Sequence, residues 1–336
     1  MSISSSIKYF IKSASNIHRQ RDRPNVFLFA TARGGSTWVM EIFASQPGMK
    51  YYDEPFNIRR DNVAKTGLFP TWQSLMPETG DAQAIIGFLN GLTVGDHPHM
   101  NPPPFRPHHR LMTHRIVFKI HELEHLIGRI ARECGGQVVY LLRHPIPTTL
   151  SRTQLPRLEL FLNSPYYDRL IGDGQALRAI KHLGNTGSRL QKGIVSWCYE
   201  NFIPLKHADF DGLIVSYEEL VLNPVRSCDL FLDRLQFDDR PAMLAAFGTA
   251  AANISMSSDD TFKVMTNTDQ RVRATGLVSR WVQKVSAEER RQVTEVMDLF
   301  GLDVYSGECV LPHHRYLHFE DTRSVLAQSE VTGAVV

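Results

Sequence analysis

Residues 25–45, NVFLFATARGGSTWVMEIFAS, place a continuous apolar run, a Gly-rich turn and a helix-forming stretch in direct succession. An apolar run at 25–30 with no polar alternation demands burial on both faces, which a central strand of a parallel sheet supplies. Residues 38–45 then read as a helix with Trp38, Val39, Ile42 and Phe43 on one face. A chain that turns from a buried strand into a helix through Gly34 and Gly35 exposes backbone N–H groups at the helix N-terminus, where the helix dipole favours an anion.

The same unit recurs. Strands are expected at 115–119, 137–142 and 213–215, with helices expected at 121–132, from about 148–152 and at 224–235. Alternation of this kind implies an α/β fold: a central parallel sheet flanked by helices. The expected organisation of the 336 residues is a basic segment at 1–23, one domain at 24–310 and a tail at 311–336. The domain carries insertions at about 57–114 and 155–195, the first of them rich in Pro and His between 95 and 109.

Composition narrows the function classes. A formal net charge of +2 gives no general basic field, so no nucleic-acid partner is expected. Cys134, Cys198, Cys228 and Cys309 are scattered, with no C-x-x-C pair, and are expected to be reduced thiols of a cytoplasmic protein. No apolar stretch reaches the length of a membrane span, although Ile3, Ile7, Phe10 and Ile11 among basic residues allow peripheral membrane contact.

The turn at 31–37 lacks the G-x-x-x-x-G-K-[ST] pattern, because Gly35 is followed by Ser36 rather than Lys. An ordinary nucleoside-triphosphate site is therefore disfavoured. Arg33, Gly34, Gly35, Ser36, Thr37 and Trp38 instead resemble the 5′-phosphosulfate loop of the sulfotransferases that use 3′-phosphoadenosine 5′-phosphosulfate (PAPS). VVYLLRHPIPTTLSR resembles the 3′-phosphate element of that family, with Arg143 and, eight residues on, Ser151; the family's Asp after the Arg is His144 here. KIH at 119–121, Tyr217-Glu218-Glu219 and TFKVM at 261–265 are similar in chain order to motifs of its cytosolic branch, whereas Tyr52-Asp53-Glu54-Pro55 is similar to its carbohydrate and protein-tyrosine branch.

The resemblance implies a P-loop-like sulfotransferase fold, PAPS as cofactor, and no required metal. It implies that Trp38, Tyr217 and Phe262 line the adenine, that Arg143, Ser151 and Arg273 hold the 3′-phosphate, and that Arg33 and Lys119 face the transferred group. Sulfuryl transfer also needs a general base. His121, just past a strand end, and Glu54 are the two candidates, and the sequence leaves the choice between them open. The expected acceptor is a small metabolite, sugar or glycolipid bearing a hydroxyl, or less readily an amine. A nucleotide-dependent phosphoryl transferase on the same fold is the alternative, as is an inactive relative that binds nucleotide or glycan. His97, His99, His108, His109 and His114 lack metal-site spacing and are expected to form a loop without metal.

Overall fold

A computed structural model describes residues 11, 12, 14–95, 100–102, 104, 108–172, 174–249 and 270–317. Five strands, β1 (Asn25–Ala30), β2 (Met49–Asp53), β3 (Arg115–Ile120), β4 (Gly136–Leu142) and β5 (Gly212–Ser216), form one wholly parallel sheet in the order β2-β3-β1-β4-β5. The chain leaves β1 toward β3 and β2 on one side and returns through β4 to the other. The C-terminal end of β1 is therefore the point at which the strand order reverses, and crevices at such points are where open α/β sheets bind ligands.

Strand alternation explains the continuous apolar runs. Val26 and Leu28 face a layer with Val39, Phe43, Leu141, Val215 and Phe231, while Phe27 and Phe29 face a larger layer with Tyr52, Phe118, Tyr140 and Trp197. All six residues of β1 are buried, as both layers require. Helices Ser36–Ala44 and Pro224–Leu235 cover the first face. Helices Ala82–Thr93, Arg189–Lys206 and Ala287–Leu299 cover the second. Residues 155–195 contribute Phe161, Ile180 and Ile194 to that second layer.

Two expected helix starts are corrected. Residues 121–123 are not helical: Leu123 adopts φ 69°, a single turn follows at Glu124–Leu126, and the helix proper is Ile127–Glu133. After β4 the helix is Pro145–Leu150, so Ser151 sits at its C-terminal end rather than in its first turn. Pro145 at the first helical position, where a missing N–H costs nothing, sets the earlier start. At the N-terminus, Ile17–His18 pairs in parallel with Met112–Thr113 in a separate two-stranded ribbon. The four cysteines are free. Among the described residues no helix is long and apolar enough to cross a membrane.

His144 does the work of an N-cap acid. Its Nδ1 accepts from the Ile146 N–H at 3.3 Å and its Nε2 bonds the Ser306 carbonyl at 3.0 Å, with the ring stacked on Trp281 at 4.3 Å. Burial pushes it down from 6.5 to about 3, against the backbone acceptors of Ser306 and Cys309, so it is neutral in the fold. Unfolded chains take up that proton first, so this group's contribution is complete above about pH 6.5 and is lost as pH falls toward about 3, at roughly 1 kcal/mol per pH unit. The urea midpoint is expected to drop between about pH 7.5 and about pH 5.5, and His144→Asn, which keeps a capping oxygen, is expected to shrink that drop; equal drops in both proteins would refute the assignment.

Candidate active site

Every strand of the sheet delivers chemistry from its C-terminal end. After β1 the chain passes through Arg33 at φ 68° and Gly35 at φ 90° into helix Ser36–Ala44, which begins without a side-chain cap. The first N–H groups of a helix have no partner within it, so this uncapped start offers donors to an anion. Gly35 is required twice over: its φ is left-handed, and a Cβ there would lie 2.6 Å from the Tyr217 ring. Thr31 Oγ1 and Arg143 Nε, both beside this turn, are buried and lack a hydrogen-bond partner.

On adjacent strands, Asp53 at the end of β2 lies in register with Lys119 on β3. The Lys119 ammonium is 2% exposed and reaches Asp53 Oδ1 at 2.5 Å, Glu54 Oε1 at 2.9 Å and Thr37 Oγ1 at 3.0 Å. It thereby joins the phosphate-type turn to both carboxylates. Glu54 adopts φ 54° and its second oxygen accepts from Asn57 at 2.6 Å and Arg60 Nε at 3.1 Å. Arg60 also pairs with Asp53 at 2.7 Å.

His121 closes the cluster. Its Nδ1 lies 3.4 Å from Glu54 Oε1 and its Nε2 2.8 Å from Ser36 Oγ. Since Glu54 only accepts, the network assigns the proton to Nδ1 and leaves Nε2 as an acceptor from Ser36. Burial pushes His121 down from 6.5 to about 4, with Glu54 pulling up and Lys119 adding to the fall, so the ring is neutral near pH 7. Burial alone would raise Glu54, but its electrostatic interactions with His121, Lys119 and Arg60 and the Asn57 bond outweigh it and hold the carboxyl well below the usual range. A carboxylate so fully paired has little affinity for a proton.

The β4 and β5 ends form the other wall. The Arg143 guanidinium lies 4.3 Å from the centroid of the Tyr217 ring and donates to the Arg33 carbonyl at 2.8 Å; Trp197 Nε1 holds the Arg143 carbonyl at 3.1 Å. Trp38 meets Tyr217 edge-on at 5.7 Å. Ser151 Oγ donates back to Thr148 O at 2.8 Å within its own helix. Phe262 lies outside the described residues, as does the side chain of Arg273, whose backbone is in helix Gln270–Ser279.

The sequence reading does not single out Asp53, Asn57 or Arg60. Asn57 and Arg60 lie three and six residues from Glu54, which they bond, and Arg60 also pairs with Asp53. Of the loop histidines, His109 Nε2 bonds the Ser15 carbonyl at 2.9 Å and the His114 ring packs on Gly48; His97 and His99 lie outside the described residues. Among the described residues no group of three His, Cys, Asp or Glu side chains is arranged to hold a metal.

No protein-family model matches the chain, and no curated protein does. Three solved structures are similar over most of its length. The crystal structure of mouse sulfotransferase SULT7A1 complexed with PAP is 16% identical over 92% of this chain and 94% of that one, with a TM-score of 0.41. The sulfotransferase domain from the curacin biosynthetic pathway is 13% identical over 84% and 99%, with a TM-score of 0.43. The sulfotransferase domain from the Synechococcus PCC 7002 olefin synthase is 17% identical over 85% and 98%, with a TM-score of 0.40. All three are sulfotransferases. At such identities and scores the roles of residues in this chain rest on its own geometry.

Gly35→Ala is expected to cost about 2–4 kcal/mol of stability, the sum of a strained φ and the Tyr217 clash. In a Tyr217→Ala background only the backbone part, about 1–2 kcal/mol, is expected to remain, as a denaturation double-mutant cycle will read.

Proposed function

We propose that this chain is a sulfotransferase that moves the sulfuryl group of PAPS onto a hydroxyl of a small metabolite, sugar or glycolipid. The observation that carries the reading is the meeting, at the strand-order reversal, of an uncapped Gly-rich helix start, a buried Lys119 bonded to that turn, and a neutral His121 oriented by Glu54. Donors on the turn and the partnerless Nε of Arg143 fit a ligand with phosphates at two separated positions. Arg33 and the 34–37 turn would hold the 5′-phosphosulfate, Arg143 the 3′-phosphate, and Trp38 and Tyr217 the adenine. When bound, PAPS supplies the sulfuryl group, whose S–O bond to the adenosine bisphosphate breaks as a bond to the acceptor oxygen forms.

The residues divide the remaining work. His121 Nε2 takes the acceptor's proton once Ser36 yields its hydrogen bond, and Glu54 Oε1 stabilises the resulting imidazolium through Nδ1. Glu54 is thus read as the orienter and His121 as the base, because a neutral imidazole accepts a proton more readily than a carboxylate locked by Lys119, Arg60 and Asn57. Lys119 supplies fixed positive charge at the turn, where negative charge grows. A phosphoryl-transferase reading lacks the Lys that follows the last Gly of a P-loop.

Calorimetry is expected to show metal-independent binding of adenosine 3′,5′-bisphosphate, weakened at least about tenfold by Arg143→Ala, a loss of about 1.4 kcal/mol or more. Preference for ATP with magnesium would overturn the reading. With PAPS and a screened acceptor, His121→Ala is expected to lower kcat by about 10²–10⁴. The acid limb of kcat/KM is expected near pH 4 rather than 6.5, since the depressed value keeps His121 unprotonated until pH falls that far. Glu54→Gln removes the charge that pulls His121 up, so the limb is expected to move lower still while kcat falls.

A further inference from the structure

Five residues apart on one stretch of chain stand two arginines that the site above does not use. Arg152 is 6% exposed, and its Nε and Nη2 both donate to the Ala32 carbonyl at 3.0 Å, in the turn that follows β1. Its guanidinium is locked by Glu200, with Nη1 on Oε1 at 3.2 Å and Nη2 on Oε2 at 2.6 Å, and Ser196 Oγ donates to the same Oε1. Arg157 is 7% exposed and repeats the arrangement on the next loop: Nη2 donates to the His121 carbonyl at 3.0 Å, and Nη1 and Nη2 grip Glu124 at 2.8 and 2.5 Å. The His121 peptide is held at its other end too, its N–H donating to Glu122 Oε2 at 3.3 Å.

We propose that Arg152 and Arg157 are separate positioning residues for the two halves of the reaction, Arg152 fixing the donor turn through Ala32 and Arg157 fixing the base through the His121 carbonyl. The proposal rests on the functional reading above. A planar fork with one arm on a carboxylate and another on a backbone oxygen fixes that oxygen in direction as well as distance, which a lysine ammonium does not. The two forks share no hydrogen-bond partner. Arg152 acts on the peptide immediately before Arg33 and the 34–37 turn, Arg157 on the residue whose ring spans Ser36 and Glu54. The glutamates pair with and orient both guanidiniums, which burial would otherwise leave uncompensated.

Arg152→Lys and Arg157→Lys, which keep the charge and remove the fork, separate the roles. Arg152→Lys is expected to weaken adenosine 3′,5′-bisphosphate at least fivefold by calorimetry and, at saturating PAPS, to leave kcat within threefold. Arg157→Lys is expected to leave that affinity within twofold and to lower kcat at least tenfold. Independently of turnover, NMR titration of labelled histidine, with His121→Asn for assignment, is expected to show the His121 value rising from about 4 toward 6.5 in Arg157→Lys alone, as the loosened loop admits water. If the wild-type protein neither binds the bisphosphate nor transfers sulfate, the functional reading falls while the NMR comparison still decides the positioning of His121. Equal effects of the two variants on affinity, kcat and the His121 titration, or none, overturn the proposal. Should a lysine variant fail to fold, Glu200→Gln and Glu124→Gln loosen the same forks with both arginines retained, and the same split is expected.

Discussion

An ammonium with 2% of its surface exposed, at the end of a central strand, organises this molecule's working edge. Lys119 cannot be left uncompensated there, because desolvating an unpaired charge costs several kcal/mol. Asp53 and Glu54 supply the compensation, and their paired charge in turn draws in Arg60 and Asn57. The register of β2 on β3 is therefore tied to the electrostatics: slipping one strand by a residue would carry Asp53 to the other face and strand the ammonium. Binding geometry and strand pairing are the same constraint, viewed from two sides of one ion pair.

That dependence extends through the whole cluster. Hydrogen bonds link the turn to Lys119 through Thr37, and to His121 through Ser36, and both lead to Glu54. Dipoles and charges held in this way need little reorganisation when charge moves, which is the main source of electrostatic catalysis. The cost is concentrated in buried polar groups, including Glu122, which burial pushes up to about 7. Removing one partner from such a set is far more damaging than replacing a surface pair.

The sheet was legible because burial on both faces writes continuous apolar runs: the expected strands at 25–30 and 137–142 differ from the observed ones by no more than one residue at an end. The turn at 31–37, with Lys119, Glu54 and His121, was equally legible, since strand ends in a parallel sheet gather at one edge. Local periodicity misled at 121–132, where Leu123 takes a left-handed conformation and the His121 carbonyl accepts from Arg157. It misled again at Ser151, where Pro145 and the His144 cap start the helix early. The forks of Arg152 and Arg157 left no local signature, because their glutamate partners are 48 and 33 residues away along the chain.

The histidine at 144 has one more effect. Its buried ring carries no charge, and Arg143 beside it spreads its guanidinium over the face of Tyr217. The neighbouring Glu218 is pushed upward by burial, against the His144 N–H and the Tyr305 hydroxyl that donate to its two oxygens. The Arg143 guanidinium at the β4 end is thus partnered by a ring face and a backbone carbonyl rather than by an acid at position 144. A guanidinium so placed attracts anions from solution, and the attraction fades as salt shortens the Debye length to about 8 Å at physiological ionic strength. A neutral imidazole rather than an acid at position 144 therefore bears on encounter rate as well as on residence.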